Sequence, residues 1–588
     1  MSLLFTILIL SGPLLTVFQV SRAGGVSSTP VVETLNGPIA GMVKNVNGKD
    51  LNLFLGIPYA KPPVGELRLQ RPRPADHWTD VLQAVKLPPR CMQPRLSLQY
   101  IRPEMSEDCL YLNIITPQNS LQEKSPRYPV MISIFHDDHV EESGNDEIFL
   151  KSELVKRQNI ILVALNSRLN FFGYAKTNSK DEIEGNYGLW DENLAIRWVK
   201  NNVKFFGGDP DRMTLRGQGS GAVNVRAHIL SPHTRGYFQN AIVEGQPFTI
   251  LGEDRTPRVT NSTQIVLNRI GCSTSKNRIS CVQDVDAADI ISALPLRWNA
   301  FPPYHDPDYV PKADSDEDQI SQANDVNLLQ GFPNDFSSNP ISIMWPKAYA
   351  KTDLSYQDAL DVIGSLVKPD DVSKIAKIYI GDGSKPLTIK ELQRGLVRFF
   401  NQIVPCRLYY ENYLTAEAVN KKKGVYSFQF NHIPQTNDYQ VADVDREFGV
   451  YYKAQQSFIF GEPYSNYWYH SDEDRRMSDI MMSVIGSFMR KSKPELLNGK
   501  EWPNWNDPQS KKANIATVIL DAESGGIIDK SNPQFCLDNQ EVVAQSLITP
   551  KFHPFDLRQE EFQHKVDEKS SFQGFLYHTI RKLYFIDY

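Results

Sequence analysis

Met213 to Leu230 reads MTLRGQGSGAVNVRAHIL, and this stretch decides the fold. Met213–Leu215 is a short apolar strand, Gly217, Gly219 and Gly221 recur at alternate positions, and Ala222–Leu230 has the composition of a helix. Glycines at that spacing allow a sharp strand-to-helix reversal in which backbones approach closely. Upstream, Pro129–Phe135 (PVMISIF) and Asn159–Leu165 (NIILVAL) read as buried strands. Between them and the turn, Trp190–Phe206 has helical spacing, with Leu194, Trp198, Val199 and Val203 expected on one face. Strands alternating with helices imply an α/β domain: a large, mostly parallel central sheet with helices on both faces. No internal repeat or low-complexity linker divides the chain, so residues 24–588 are expected to form one domain.

The chain has 588 residues, 41% hydrophobic and 22% charged, enough apolar material for a large core and against wholesale disorder. Its net charge of -6 carries no basic block, which excludes nucleic acid as an expected partner. The acidic run Asp314–Asp318 reads as a solvated loop.

The N-terminus carries an apolar run, Leu3–Leu10, then Gly12-Pro13 and a further apolar stretch ending at Ser21-Arg22-Ala23. That pattern predicts a signal peptide over residues 1–23 and a secreted, extracellular protein. No later run reaches membrane length, so an integral membrane protein is not expected. Six cysteines suit an oxidising compartment. Asn261-Ser262-Thr263 is an N-glycosylation acceptor, predicting an exposed loop there. The segment Phe572–Tyr588 has an amphipathic helical pattern, suited either to pairing two copies or to packing on its own domain.

Several longer strings resemble the carboxylesterase/cholinesterase (type-B carboxylesterase) family. They are Phe54–Leu69 (FLGIPYAKPPVGELRL), Ser106–Asn113 (SEDCLYLN), Leu169–Gly173 (LNFFG), Gly185–Asp191 (GNYGLWD) and Asn193–Arg212 (NLAIRWVKNNVKFFGGDPDR). The resemblance implies the α/β-hydrolase fold and the disulfides Cys91–Cys109, Cys272–Cys281 and Cys406–Cys536. It also implies where a serine, a glutamate and a histidine would stand in a catalytic triad.

At those positions this chain differs. The nucleophile's place between Gly217 and Gly221 is taken by Gly219, which has no side chain to attack a carbonyl. Ser220 is adjacent but off the motif's centre, and is expected to cap or pack near the helix. In Gly449-Val450-Tyr451-Tyr452-Lys453, Tyr452 stands where the family has its histidine; a phenol is a poor general base at neutral pH. His432 and His470 are expected at the surface or the core edge. In Gly331–Ser337, Phe336 stands where glutamate belongs, with Asp335 one residue early. The oxyanion loop, His-Gly-Gly-Gly in the family, reads His136-Asp137-Asp138-His139, and carboxylates there would repel a developing oxyanion. That segment fits no common zinc spacing, and neither metal nor cofactor is expected.

These substitutions predict a pseudoenzyme with no catalytic residues. The resemblance extends to inactive, cholinesterase-like adhesion proteins of the neuroligin, glutactin and neurotactin type, implying an extracellular or membrane protein as partner. The alternatives are a carrier holding a small apolar ligand in the former substrate gorge, and a residual carboxylesterase.

Overall fold

The computed structural model describes most of residues 31–529. The stretches it leaves out include 95–103, 137–138, 246–254, 313–322, 334–353, 400–422, 435–449, 451–453, 505–516 and everything from 530 onward. The expected signal peptide, the amphipathic C-terminal segment, and Cys406, Cys536, Asp137, Asp138, Phe336 and Tyr452 therefore lie outside the described residues.

Among the described residues, the centre of the molecule is an eleven-stranded sheet. In chain order its strands are β1 (Met42–Val46), β2 (Lys49–Pro58), β3 (Tyr111–Pro117) and β4 (Tyr128–His136). β5 (Ile161–Leu165), β6 (Gly208–Gly219), β7 (Asn240–Glu244) and β8 (Asn327–Pro333) follow. β9 (Val425–Phe430), β10 (Thr517–Leu520) and β11 (Ile527–Asp529) complete it. Their spatial order is β11-β10-β9-β8-β7-β6-β4-β5-β3-β2-β1. From β5 through β10 the neighbours are parallel. The outer strands β3, β2 and β1 on one side and β11 on the other run antiparallel.

The parallel strands β4 and β5 are rich in apolar residues because both faces of the sheet are covered there. Every residue of β5 is buried. On one face, Leu215 of β6 and Ala241 and Val243 of β7 pack with Ala195, Ile196 and Val199 of the helix Tyr187–Asn202 and with Ala222, Val225 and Ile229 of the helix Ser220–Leu230. On the other, Met131, Ile242 and Phe428 meet the helices Ala454–Phe460 and Asp472–Lys491. Each fully buried aliphatic or aromatic side chain contributes roughly 1.5–3 kcal/mol.

Two local expectations need correction. Of the expected face of Trp190–Phe206, Trp198, Val199 and Val203 are buried, while Leu194 is only half-buried; Ala195, Ile196 and Phe206 are buried as well. The helix also begins earlier, at Tyr187, and tightens to a 3₁₀ turn over Val203–Phe206. Asn261 is exposed, but on the helix Thr256–Arg269, not on a loop. Its neighbours Ser262 and Thr263 are buried, and Thr263 Oγ1 accepts a hydrogen bond from the Lys176 amide at 3.0 Å.

The disulfides Cys91–Cys109 and Cys272–Cys281 are formed. Among the described residues no helix is long and apolar enough to cross a membrane.

Candidate functional site

β4 is followed in the chain by β5 on one side of it and β6 on the other. In open α/β sheets such a reversal of direction leaves a crevice at the carboxyl ends of the strands, where sites are built. Gly219, the last residue of β6, sits at that end, opposite His136 of β4.

Gly219 has φ 59° and ψ −128°, and the helix begins immediately at Ser220. This is a region of backbone space that side chains disfavour, so the bend is a strained elbow. The flanking glycines are dictated by contact. A Cβ on Gly217 would lie 2.2 Å from the carbonyl oxygen of Gly221, and one on Gly221 would lie 2.5 Å from that of Ile134. The sequence therefore forms the elbow at the expected place, with residue 219 at its tip.

Ser220 is turned inward, with only 1% of its surface exposed. Its Oγ accepts the backbone N–H of His139 at 3.3 Å. It packs as expected but does not cap: the N-cap residue is Gly219. His139, the last residue of the expected oxyanion loop, is thus tied to the first residue of the elbow helix.

His139 opens a chain of buried polar groups that the sequence did not reveal. Its Nε2 lies 2.9 Å from Asn224 Oδ1. Asn224 Nδ2 donates to Tyr174 OH at 2.9 Å and to Glu192 Oε1 at 2.7 Å. Glu192 Oε2 meets His228 Nε2 at 2.7 Å, and His228 Nδ1 meets Tyr309 OH at 2.8 Å. Burial, followed by the nearby Glu192 charge, holds the Tyr174 and Tyr309 phenols well above their ordinary pKa, so both remain neutral. Asn224 and His228 share a helix face by their i, i+4 spacing, but nothing in the sequence said that face was the buried one.

On the opposite face of the sheet, under the same elbow, Arg216 of β6 pairs with Glu244 of β7. The Arg216 guanidinium also lies 5.0 Å over the Phe460 ring. Gln218, one residue before the tip, is 4% exposed, and neither its oxygen nor its nitrogen has a hydrogen-bond partner among the described residues.

His432 and His470 are not at the surface, as one of the two readings held; both are buried at the core edge. They converge on one carboxylate: His432 Nε2 is 2.6 Å from Asp474 Oδ1, and His470 Nδ1 is 3.5 Å from Asp474 Oδ2. Asp474 also completes a capping box with Ser471 at the start of the helix Asp472–Lys491. Both imidazoles are therefore engaged by a structural carboxylate. Among the described residues no His, Cys, Asp and Glu cluster could hold a metal ion.

A mixed sheet with a parallel centre, helices on both faces and a glycine-flanked elbow at the switch point define an α/β-hydrolase fold. Within that class the chain belongs to the carboxylesterase family, whose sequence model matches residues 28–526. It is 27% identical over 521 residues to acetylcholinesterase-1 of Trittame loki, covering 83% of this chain and 91% of that protein. It is also 27% identical over 519 residues to the human (Homo sapiens) cocaine esterase, covering 84% and 88% of the two chains. The juvenile hormone esterase of Tribolium castaneum is 34% identical over a shorter span of 269 residues, 45% of each chain.

Proposed function

We propose that this chain is a secreted, non-catalytic member of the carboxylesterase family that acts by binding an extracellular or membrane protein, as an adhesion or matrix component. The observation that carries this reading is the elbow: its tip is Gly219, at φ 59° and ψ −128°, and the adjacent hydroxyl of Ser220 is buried against the His139 amide. Losing a nucleophile or its base costs on the order of a millionfold in turnover. The sequence adds Tyr452 and Phe336 at the base and acid positions and Asp137 and Asp138 in the oxyanion loop. Two formed disulfides and the exposed Asn261 acceptor agree with an oxidising, extracellular setting.

The test is affinity capture with the tagged chain, lacking residues 1–23, from extracellular extract, run beside a short-chain ester assay. The reading expects a specific membrane or matrix protein and no turnover above background. Steady ester turnover at an ordinary esterase rate would overturn it.

One observation favours a second reading, a carrier of a small ligand. The unpartnered carboxamide of Gln218 next to the elbow is a polar group that a bound molecule would satisfy. A small molecule co-purifying in place of a protein would support that reading. The relatives reported above carry the names of esterases, and residual hydrolysis is the third outcome the ester assay reads.

A further inference from the structure

We propose that Asn47, at the tip of the β1–β2 hairpin, is a site of spontaneous deamidation, and that its conversion to a carboxylate unfastens the hairpin from the buried side chain of Glu153. Neither the loss of catalysis nor the choice of partner enters into it.

Asn47 and Gly48 are the two loop residues of the hairpin, closed by the facing pair Val46 and Lys49. Their φ values of 46° and 80° are the left-handed pair that a two-residue type I′ turn demands, which is why Asn-Gly stands there. Both residues are exposed, and a Cβ on Gly48 would meet nothing within 4 Å. Asn47 is nevertheless tied to the body of the fold. Its Nδ2 donates to Glu153 Oε1 at 2.7 Å and to the Tyr464 carbonyl at 3.3 Å, while its own carbonyl accepts from Lys156 Nζ at 2.9 Å. The Glu153 side chain has no solvent exposure, and Lys156 and Arg157 also pair with it.

The chemistry needs only the chain and water. When the tip opens, the backbone nitrogen of Gly48 gives up its proton and attacks Cγ of Asn47. A C–N bond forms, the Cγ–Nδ2 bond breaks and ammonia leaves. Water then opens the five-membered imide at either carbonyl, giving aspartate or isoaspartate with no change of oxidation state. The opening is local: it releases the Gly48 N–H from Asn45 Oδ1 at 3.0 Å and the Asn47 amide from its two acceptors. No side chain on residue 48 obstructs the attack. The other Asn-Gly pair among the described residues, Asn36-Gly37, is held differently. The Gly37 N–H donates to both the carbonyl and the hydroxyl of Thr34, at 3.3 and 3.2 Å. A Cβ on Gly37 would lie 2.3 Å from the Trp78 carbonyl oxygen, so the backbone there has no room to move.

Conversion removes the donor that faces Glu153. Aspartate sets a second carboxylate against Glu153 Oε1 with no hydrogen between them, a like-charge contact beside a desolvated group. Isoaspartate adds a backbone carbon, which a two-residue turn closed by Val46 and Lys49 cannot hold. Either product loosens the tip from the helix Glu153–Gln158.

The experiment incubates the folded full chain at mildly alkaline pH, digests it, and weighs the peptides that carry residues 36 and 47. Acid should accumulate at residue 47 while residue 36 keeps its amide. Asn45→Ala frees the Gly48 N–H and should speed conversion at residue 47 by roughly two- to tenfold, the range for one hydrogen bond. Asn47→Asp reproduces one product and should be cut by trypsin after Lys44 or Lys49 faster than the unmodified protein. Asn45 is exposed, so its variant keeps the test open if Asn47→Asp does not fold. Conversion at residue 47 no faster than at residue 36, or an unchanged rate in Asn45→Ala, would overturn the site. A tip in Asn47→Asp as resistant to trypsin as the unmodified one would overturn the unfastening.

Discussion

Arg216 Nη2 lies 2.6 Å from Glu244 Oε2, directly beneath the elbow, and neither side chain has any solvent exposure. The contact is an ion pair and not a well-aligned hydrogen bond. Burial pushes the Glu244 carboxyl above its ordinary pKa, and the Arg216 charge pulls it back down. Two desolvated charges on adjacent parallel strands hold each other in place at a cost that good packing alone would avoid.

The first prediction concerns that pair. Arg216→Met should destabilise the protein by roughly 3–5 kcal/mol, because Glu244 is left buried and unpaired. Arg216→Met combined with Glu244→Leu should recover most of the loss, since no charge then remains to be desolvated. Urea unfolding of the two variants measures both values. A double variant as unstable as the single one would contradict this account of the pair.

The elbow glycines give the second. Gly217→Ala and Gly221→Ala each drive a Cβ into a carbonyl oxygen, of Gly221 and Ile134 respectively, and backbone cannot step aside. Both variants should fall in the exceptional class that loses roughly 4 kcal/mol or more. Gly236→Ala meets nothing within 4 Å and bears only the strain of φ 80°, so it should cost about 1 kcal/mol. Thermal unfolding of the three variants would refute the steric argument if their losses were equal.

Much of this was legible in the sequence, and the remainder was hidden for physical reasons. PVMISIF and NIILVAL announced β4 and β5 because a strand buried on both faces favours a nearly continuous apolar run. The elbow was legible because glycine alone tolerates its contacts. The buried polar residues were not. Asp191, Glu192 and Asn193 are polar, yet all three are buried. A periodicity argument counts apolar residues and cannot see a polar face satisfied by hydrogen bonds. The meeting of His432 with Asp474 spans 42 residues of sequence and depends on where a helix starts. Arg216 did leave a trace: Thr214, Arg216 and Gln218 alternate with Leu215 and Gly217 along β6, so one face of a central strand is polar. Asn261 misled because a glycosylation acceptor was equated with a loop, whereas an exposed helix position serves equally well.

Asp474 supplies a pH prediction. Desolvation opposes its charged form, but hydrogen bonds from His432, His470 and the Ser471 backbone outweigh it and hold the carboxyl well below the usual carboxylate range. A depressed folded-state pKa contributes stability above the unfolded value, near 3.9, and that contribution is lost as pH falls further. Asp474→Asn should therefore cost roughly 1–3 kcal/mol at pH 7. The gap between variant and unmodified protein should narrow steadily below about pH 4. A gap that stays constant from neutral to strongly acidic solution would show that the charge contributes nothing.

Installing a nucleophile should not by itself restore an enzyme. Gly219→Ser puts a hydroxyl at the tip of the elbow, but the sequence offers Tyr452 in place of a histidine base, and a phenol does not accept a proton at neutral pH. Turnover of a short-chain ester by this variant should stay within roughly tenfold of background. Robust hydrolysis would mean that another group already serves as base.

The central claim is that no serine in this protein is an activated nucleophile. It is tested most directly by exposing the intact chain to a fluorophosphonate at neutral pH and weighing the product. The account predicts an unchanged mass under conditions that modify an active carboxylesterase to completion. A stoichiometric adduct, mapped by peptide sequencing to Ser220 or to any other serine, would contradict it.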